Sequence, residues 1–383
     1  MGGKRIHYID WLRVLAVLLL FPFHTLRVYN LEPFYVKGSE LSEGLGYIIS
    51  FIDLWHMPLL FLLAGASTFL ALGKRTTGQY AYERVKRLLV PLVFGFFVLI
   101  PPQTWCGAQY WRDRLWFGHE FSTVSSGSFW EYLSSGQIFV VNVQDAGDYF
   151  GGIGLGHLWF ILYLLLISLL VLPAVAFARR DRGRAFARKL ARGLANPAWW
   201  LVPALLLWIT EGLWDPIDKS FFMYLTYFLL GFIVISEDKF AESTERHRWW
   251  AIVVGTAVCV VYTATGQWRD SLPDPSWALA AANIAGALGT WAVIVGALGL
   301  GRRYLDRPSP ALAYLGESSY PVYLLHQTVI VVTAFYIVQV SMAWPLQWLL
   351  LLIVAVALTF ALYEVVRRTN VLRFCFGMRP KRP

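Results

Sequence analysis

"DWLRVLAVLLLFPFHTLRVY", residues 10–29, is long and apolar enough to cross a bilayer, yet it carries Arg13 near one end and His24 near the other. A charged side chain inside an apolar helix is costly, and its retention points to function. At about 100° per residue the two side chains lie only about 20° apart in azimuth, and Asp10 falls within about 60° of Arg13. All three therefore share one face, directed into a bundle. By helical rise His24 stands about 16 Å beyond Arg13. Arg13 snorkelling to the headgroups with Asp10 as partner, and a His24 tied to a backbone carbonyl, are the plain alternatives. Neither accounts for the shared face.

The rest of the chain is built of similar material. Of 383 residues, 57% are hydrophobic and 16% aromatic against 15% charged, more apolar surface than a soluble domain can bury. Apolar runs occur near 8–28, 46–72, 88–105, 155–178, 198–214, 220–236, 249–266, 276–300, 319–342 and 345–366. They predict an all-α polytopic transmembrane bundle of about ten spans over residues 1–366, followed by a basic tail at 367–383. Lys4 and Arg5 before the first run resemble a signal peptide, but no small-residue cleavage site follows, so the run is read as a retained helix.

The net charge of +9 does not imply a nucleic-acid partner, because the basic residues flank apolar runs and form no separate basic module. Of the 33 Lys and Arg, 26 fall in alternate connectors and the two ends. The positive-inside rule then places both termini in the cytosol. The short fifth and sixth runs, interrupted by "EGLWDPIDKS", are kept as spans because the connectors on either side of the pair are both basic. Cys106, Cys259 and Cys375 are expected in different compartments, which predicts no disulfide, and no metal-ligand spacing appears. "GGIGLGHLW" at 151–159 lacks a preceding strand and is not read as a dinucleotide site. The aromatic-rich outer loop at about 106–154 is read as interfacial anchoring or as a lid.

Further polar groups interrupt the later spans. In "FIDLWHMPLLFLLAGAS", Asp53 and His56 are i,i+3 neighbours, with Pro58 expected to open the backbone beside them. His157 and Trp159 open the fourth span and Glu211 closes the fifth, all toward the outer side, where they predict a polar vestibule for substrate. On the cytosolic side "ERVKRLLVP" places Arg84, Lys86 and Arg87 at a membrane mouth. Positive-inside topology explains such a cluster, and an Arg-x-x-Arg pair also suits phosphate, which guanidinium grips bidentately. His326 in "SSYPVYLLHQ", counted from a span start near 319, is expected about 12 Å deep from the cytosol, nearer Arg13 than His24.

These segments, in this order, resemble the acyltransferase family 3 of integral membrane O-acyltransferases over nearly the whole chain. The matching marks are the Arg-x10-His spacing of the first span, "WHMPLLFLLAGAS", Arg84-x-x-Arg87, "HLWFILYLL" and "SSYPVYLLH". The second-span wording is most similar to a branch that includes periplasmic-glucan succinyl-modifying proteins. The resemblance implies a ten-helix enzyme of the bacterial inner membrane that takes acyl-CoA, as acetyl-CoA or succinyl-CoA, from the cytosol. Its acceptor would be a carbohydrate hydroxyl outside. By that pattern Arg13 and His24 are catalytic, and Arg84 and Arg87, with Lys86 and His326 nearby, bind the donor. His24 would take the hydroxyl proton, and Arg13 would stabilise the thioester oxyanion or position the acyl arm; apart from the family pattern, Asp53 would orient His24 if the first two spans pack together. A transporter or flippase of a glycan, lipid or organic acid is the competing reading, although no internal repeat supports it.

Overall fold

A computed structural model of the chain describes residues 6–72, 76–112, 114–116, 119–120, 127–136, 154–215 and 219–381. Most of the 106–154 loop therefore lies outside the described residues. The described chain is helical apart from a two-residue antiparallel pairing of Leu115–Trp116 with His119–Glu120. The helices are α1 (His7–Leu26), α2 (Glu43–Leu72), α3 (Thr77–Val98), α4 (Ile100–Trp111), α5 (Phe129–Ser134), α6 (Trp159–Leu170), α7 (Leu172–Ala178) and α8 (Asp181–Leu194). They continue as α9 (Leu201–Glu211), α10 (Phe221–Val234), α11 (Asp238–Ala264), α12 (Gly266–Asp270), α13 (Trp277–Leu305), α14 (Pro310–Ile337), α15 (Trp344–Val366) and α16 (Asn370–Cys375).

Among the described residues six helical segments are long and apolar enough to span a bilayer, and up to nine if each of three bent pairs is one span. Two of the bends coincide with prolines. Pro173 at the start of α7 accompanies a 51° turn after α6, and Pro197 one of 102° between α8 and α9. Pro58 does not have the effect expected of it, since α2 runs unbroken through it to Leu72. The expected fifth and sixth spans appear as α9 and α10, only 11 and 14 residues long. At about 1.5 Å per residue each is shorter than the hydrocarbon core of a bilayer.

The chain forms two compact units. The first comprises Met1–Ala16, Ser50–Arg84 and Tyr163–Gly316. Its N-terminal helix is capped in trans: the Asp306 carboxylate accepts from the backbone N–H groups of His7 (2.9 Å) and Tyr8 (3.4 Å). Small residues set its closest crossings. A Cβ on Gly65 of α2 would collide with the Phe228 carbonyl of α10, and one on Gly231 with the Leu62 carbonyl. The two backbones touch directly, as small-residue seams allow in membrane proteins. Gly255 of α11 and Gly296 and Gly299 of α13 make a second such seam.

The second unit comprises Val17–Ile49, Val85–Leu162 and Glu317–Pro383. Its core includes part of the connector between α1 and α2, where Tyr29, Phe34, Tyr35 and Val36 are buried. The Trp111 indole donates to the Phe34 carbonyl (3.1 Å) and the Tyr110 hydroxyl to the Lys37 carbonyl (2.6 Å). The residues expected to be a plain basic tail instead pack into this unit. Arg373 pairs with Glu317 (2.9 Å), and Gly377, at φ +64°, lies against Tyr320, Pro91 and the Arg87 carbonyl.

Candidate active site

Three histidines converge in the second unit. The His326 ring centroid lies 5.2 Å from that of His24 and 5.2 Å from that of His157. Each arrives by a different local device. His24 stands two residues after Pro22 near the end of α1, a region tied down by the Trp348 indole donating to Thr25 Oγ1 (3.0 Å). His157 sits on the single 3-10 turn that opens α6, entered through Gly156 at φ +46°, a backbone conformation that favours glycine. His326 is one turn beyond Tyr323 on α14.

The partners of these rings set their tautomers. A carbonyl can only accept, so His326 Nδ1–H donates to the Tyr323 carbonyl (2.5 Å) and His157 Nε2–H to the Leu324 carbonyl (3.0 Å). In their neutral forms the remaining nitrogens, Nε2 of His326 and Nδ1 of His157, carry lone pairs. The Tyr323 hydroxyl donates to the His157 carbonyl and completes the link between α14 and the turn before α6. His326 is fully buried, His157 nearly so, and His24 half-buried with Phe34 stacked beside it at 6.2 Å. Trp159 is half-buried at the start of α6, edge-on to Phe160 (6.4 Å).

Asp10, Arg13, Asp53 and His56 belong to the first unit. Arg13 bonds Asp10 at 3.0 Å, the expected i,i+3 pair, and also donates to Ser67 Oγ of α2 at 2.6 Å. His56 is buried, and its Nε2–H donates to the Ala16 carbonyl at 2.6 Å, which makes it a brace between α1 and α2. Asp53 points elsewhere: it is exposed to a cavity that Glu211 also lines.

On α3, the Arg84 guanidinium donates to Thr68 Oγ1 (3.2 Å) and lies 5.0 Å from the Tyr80 ring centroid. Arg87 Nε donates to the Gly377 carbonyl (3.2 Å), and Lys86 Nζ stands 5.6 Å from the Phe374 ring centroid. Both Lys86 and Arg87 are exposed.

His326 departs from the sequence expectation. Counting depth from residue 319 assigned it to the donor end, but α14 begins nine residues earlier at Pro310. From that start His326 is about 24 Å along the helix, which brings it to His24. Sequence reasoning also passed over Tyr323, and over Tyr262, Arg269 and Asn283 around the cavity. Arg269 carries one signal, a basic residue in a connector that the positive-inside reading assigns to the outer side.

Comparison with known proteins places this geometry. A model described as an acyltransferase domain matches residues 6–364. Over 397 aligned positions the chain is 23% identical to proteins named glucans biosynthesis protein C from Salmonella paratyphi A, Salmonella agona and Salmonella schwarzengrund. Those alignments cover 99% of this chain and 96% of each relative. No solved structure matches it. With a family match running from the start of α1 almost to the end of α15, the chain belongs to the acyltransferase domain family and is an acyl-transferring enzyme of a membrane.

Proposed function

We propose that the protein moves an acyl group from cytosolic acyl-CoA to a hydroxyl of a carbohydrate, a periplasmic glucan or another envelope glycan, outside the bacterial inner membrane. The observation that carries the proposal is the packing of His24 against His326, and of His326 against His157, in a chain of this family. Acyl transfer to an alcohol needs a base for the hydroxyl proton, and a neutral imidazole held in a buried setting suits that task.

In the proposed step the acceptor oxygen attacks the thioester carbonyl while His24 takes its proton. Collapse of the tetrahedral intermediate breaks the C–S bond, and the proton passes from His24 to the departing CoA thiolate. His326, its Nδ1–H engaged by the Tyr323 carbonyl, holds the ring next to His24 in one tautomer. Arg13, anchored by Asp10 and Ser67 and about 16 Å along α1 from His24, is assigned to the acyl-carrying arm of the donor rather than to the carbonyl that His24 serves. Arg84, Lys86 and Arg87 are assigned to the CoA phosphates. The glucan acceptor follows from the names of the Salmonella relatives, and the donor is acetyl-CoA or succinyl-CoA.

The test is transfer from radiolabelled acetyl-CoA or succinyl-CoA to extracted envelope glycan, using membranes that carry wild type or His24→Ala. Loss of a general base is expected to lower kcat by about a hundred- to ten-thousand-fold with protein level unchanged. Turnover of His24→Ala close to wild type would remove His24 from the mechanism. Uptake of intact glycan without acyl incorporation would favour transport instead.

A further inference from the structure

A cavity of about 440 Å³ lies wholly within the first unit, outside the histidine cluster. Its size falls within the range of small-molecule sites, roughly 300–1,000 Å³. Its walls carry charges of both signs: Asp53 of α2, Glu211 at the end of α9, Asp215 and Lys219 of the following connector, and Arg269 of α12. The end of α9 and the start of α10 bring Glu211, Asp215 and Lys219 to the cavity.

One wall is braced in place. The Arg269 guanidinium lies over the Tyr262 ring, 3.5 Å from its centroid, and Arg269 also donates to the Tyr262 carbonyl. The Tyr262 hydroxyl donates to Asn283 Oδ1 (3.2 Å), which leaves the Asn283 amide N–H groups for another acceptor. A Cβ on Gly286 would press on the Tyr262 ring at 2.6 Å, so the glycine makes room for it.

This lining discriminates among ligands. Three carboxylates against two cations disfavour a diphosphate or another strongly anionic group. A simple cation would leave Arg269 and Lys219 facing it. A neutral polyol satisfies both signs, since each hydroxyl donates to a carboxylate and accepts from guanidinium, ammonium or amide.

We propose that this cavity is a saccharide subsite that holds a neutral hexosyl unit of the acceptor glycan, with Asp53, Glu211, Arg269 and Asn283 as its polar contacts. The inference rests on the carbohydrate reading only for the identity of the glycan. The experiment is calorimetric titration of the detergent-solubilised full chain with a linear gluco-tetraose, alongside acyl transfer to the same tetraose. Wild type and His24→Ala are expected to bind equally, with transfer lost only in the latter. Glu211→Gln and Arg269→Gln should each weaken binding at least tenfold, and Ala287→Phe, which fills the cavity without removing a charge, should do the same. Thermal melting confirms that each variant is folded, and Asn283→Ala serves as a milder substitute for any that is not.

Unchanged tetraose affinity and acceptor KM in Glu211→Gln, Arg269→Gln and Ala287→Phe would overturn the subsite while leaving the enzymatic reading intact. Tighter binding of a glucose phosphate than of neutral glucose would overturn it as well. Conversely, tetraose binding that depends on Arg269 and Glu211, in a protein that transfers no acyl group, would uphold the subsite and refute the proposed reaction.

Discussion

Lys37 in the connector between α1 and α2 is 2% exposed, and its ammonium donates to the Arg27 carbonyl (2.6 Å), the Glu32 carbonyl (2.8 Å) and Asn30 Oδ1 (3.0 Å). One side chain thus satisfies three acceptors of a folded loop. Burial, with the nearby Arg27 charge adding to it, lowers the Lys37 pKa from its ordinary 10.5 to about 7, while Glu32 opposes the shift. Between those values the unfolded chain holds a proton that the folded chain has released. Stability is therefore expected to rise with pH across that window, and the gain to be lost as pH falls through about 7. Melting of the purified protein from pH 6 to 10 checks this. Lys37→Met should flatten the profile attributable to this group. It should also cost about 1–3 kcal/mol at high pH, because buried acceptors lose their donor. A profile that keeps its slope in Lys37→Met would assign the pH dependence to other groups.

At the scale of elements, the α2–α10 crossing depends on two glycines. Valine at Gly65 or Gly231 would meet backbone, which yields less readily than a flexible side chain. Each substitution is expected to cost at least the roughly 1–3 kcal/mol of ordinary overpacking. The readout is a lower melting temperature, whereas valine at Gly78, which has open space around it, should leave melting unchanged. The α3 arginines make a second test. Replacing Arg84 and Arg87 with Gln should raise the donor KM at least about tenfold if they grip phosphate, because each charge-assisted bond contributes about 1.5–3 kcal/mol. Acceptor KM should hold. Both arginines also have protein partners, Thr68 and the Gly377 carbonyl respectively. A fall in melting temperature with unchanged donor KM would therefore assign them to structure. Lysine at both positions should recover only part of the donor affinity, lacking the bidentate fork.

For the whole molecule the prediction concerns topology. The ten-span reading with cytosolic termini places the α1–α2 connector outside and the basic helix α8 inside. Cysteines substituted at exposed Glu40 and Ala185, in a chain whose three native cysteines are replaced, should react with an impermeant reagent from outside and from inside respectively. Reaction of both from one side would overturn the parity argument. The short α9 and α10 bear on this directly. Sequence reading counts them as two spans because both flanking connectors are basic, and the structure adds steep bends at the ends that this reading places in the cytosol, 102° between α8 and α9 and 105° between α10 and α11.

The class of the molecule was legible in the sequence. Apolar runs of membrane length, and cationic connectors that alternate with them, follow from the one-dimensional pattern because the bilayer imposes the same demand on every span. The spacing of Arg13 and His24 likewise predicts a shared face, since helical periodicity converts spacing into azimuth. Depth was less secure. His326 was misplaced because its helix begins at Pro310, in a stretch that hydropathy reads as connector. The partners of a group were out of reach altogether. That His326 meets His24, that His56 is spent on the Ala16 carbonyl, and that Asp53 opens onto a cavity with Glu211 and Arg269 all depend on contacts between residues far apart in the chain. The local pattern decides that a helix forms and which face is polar; only packing between helices decides what that face meets.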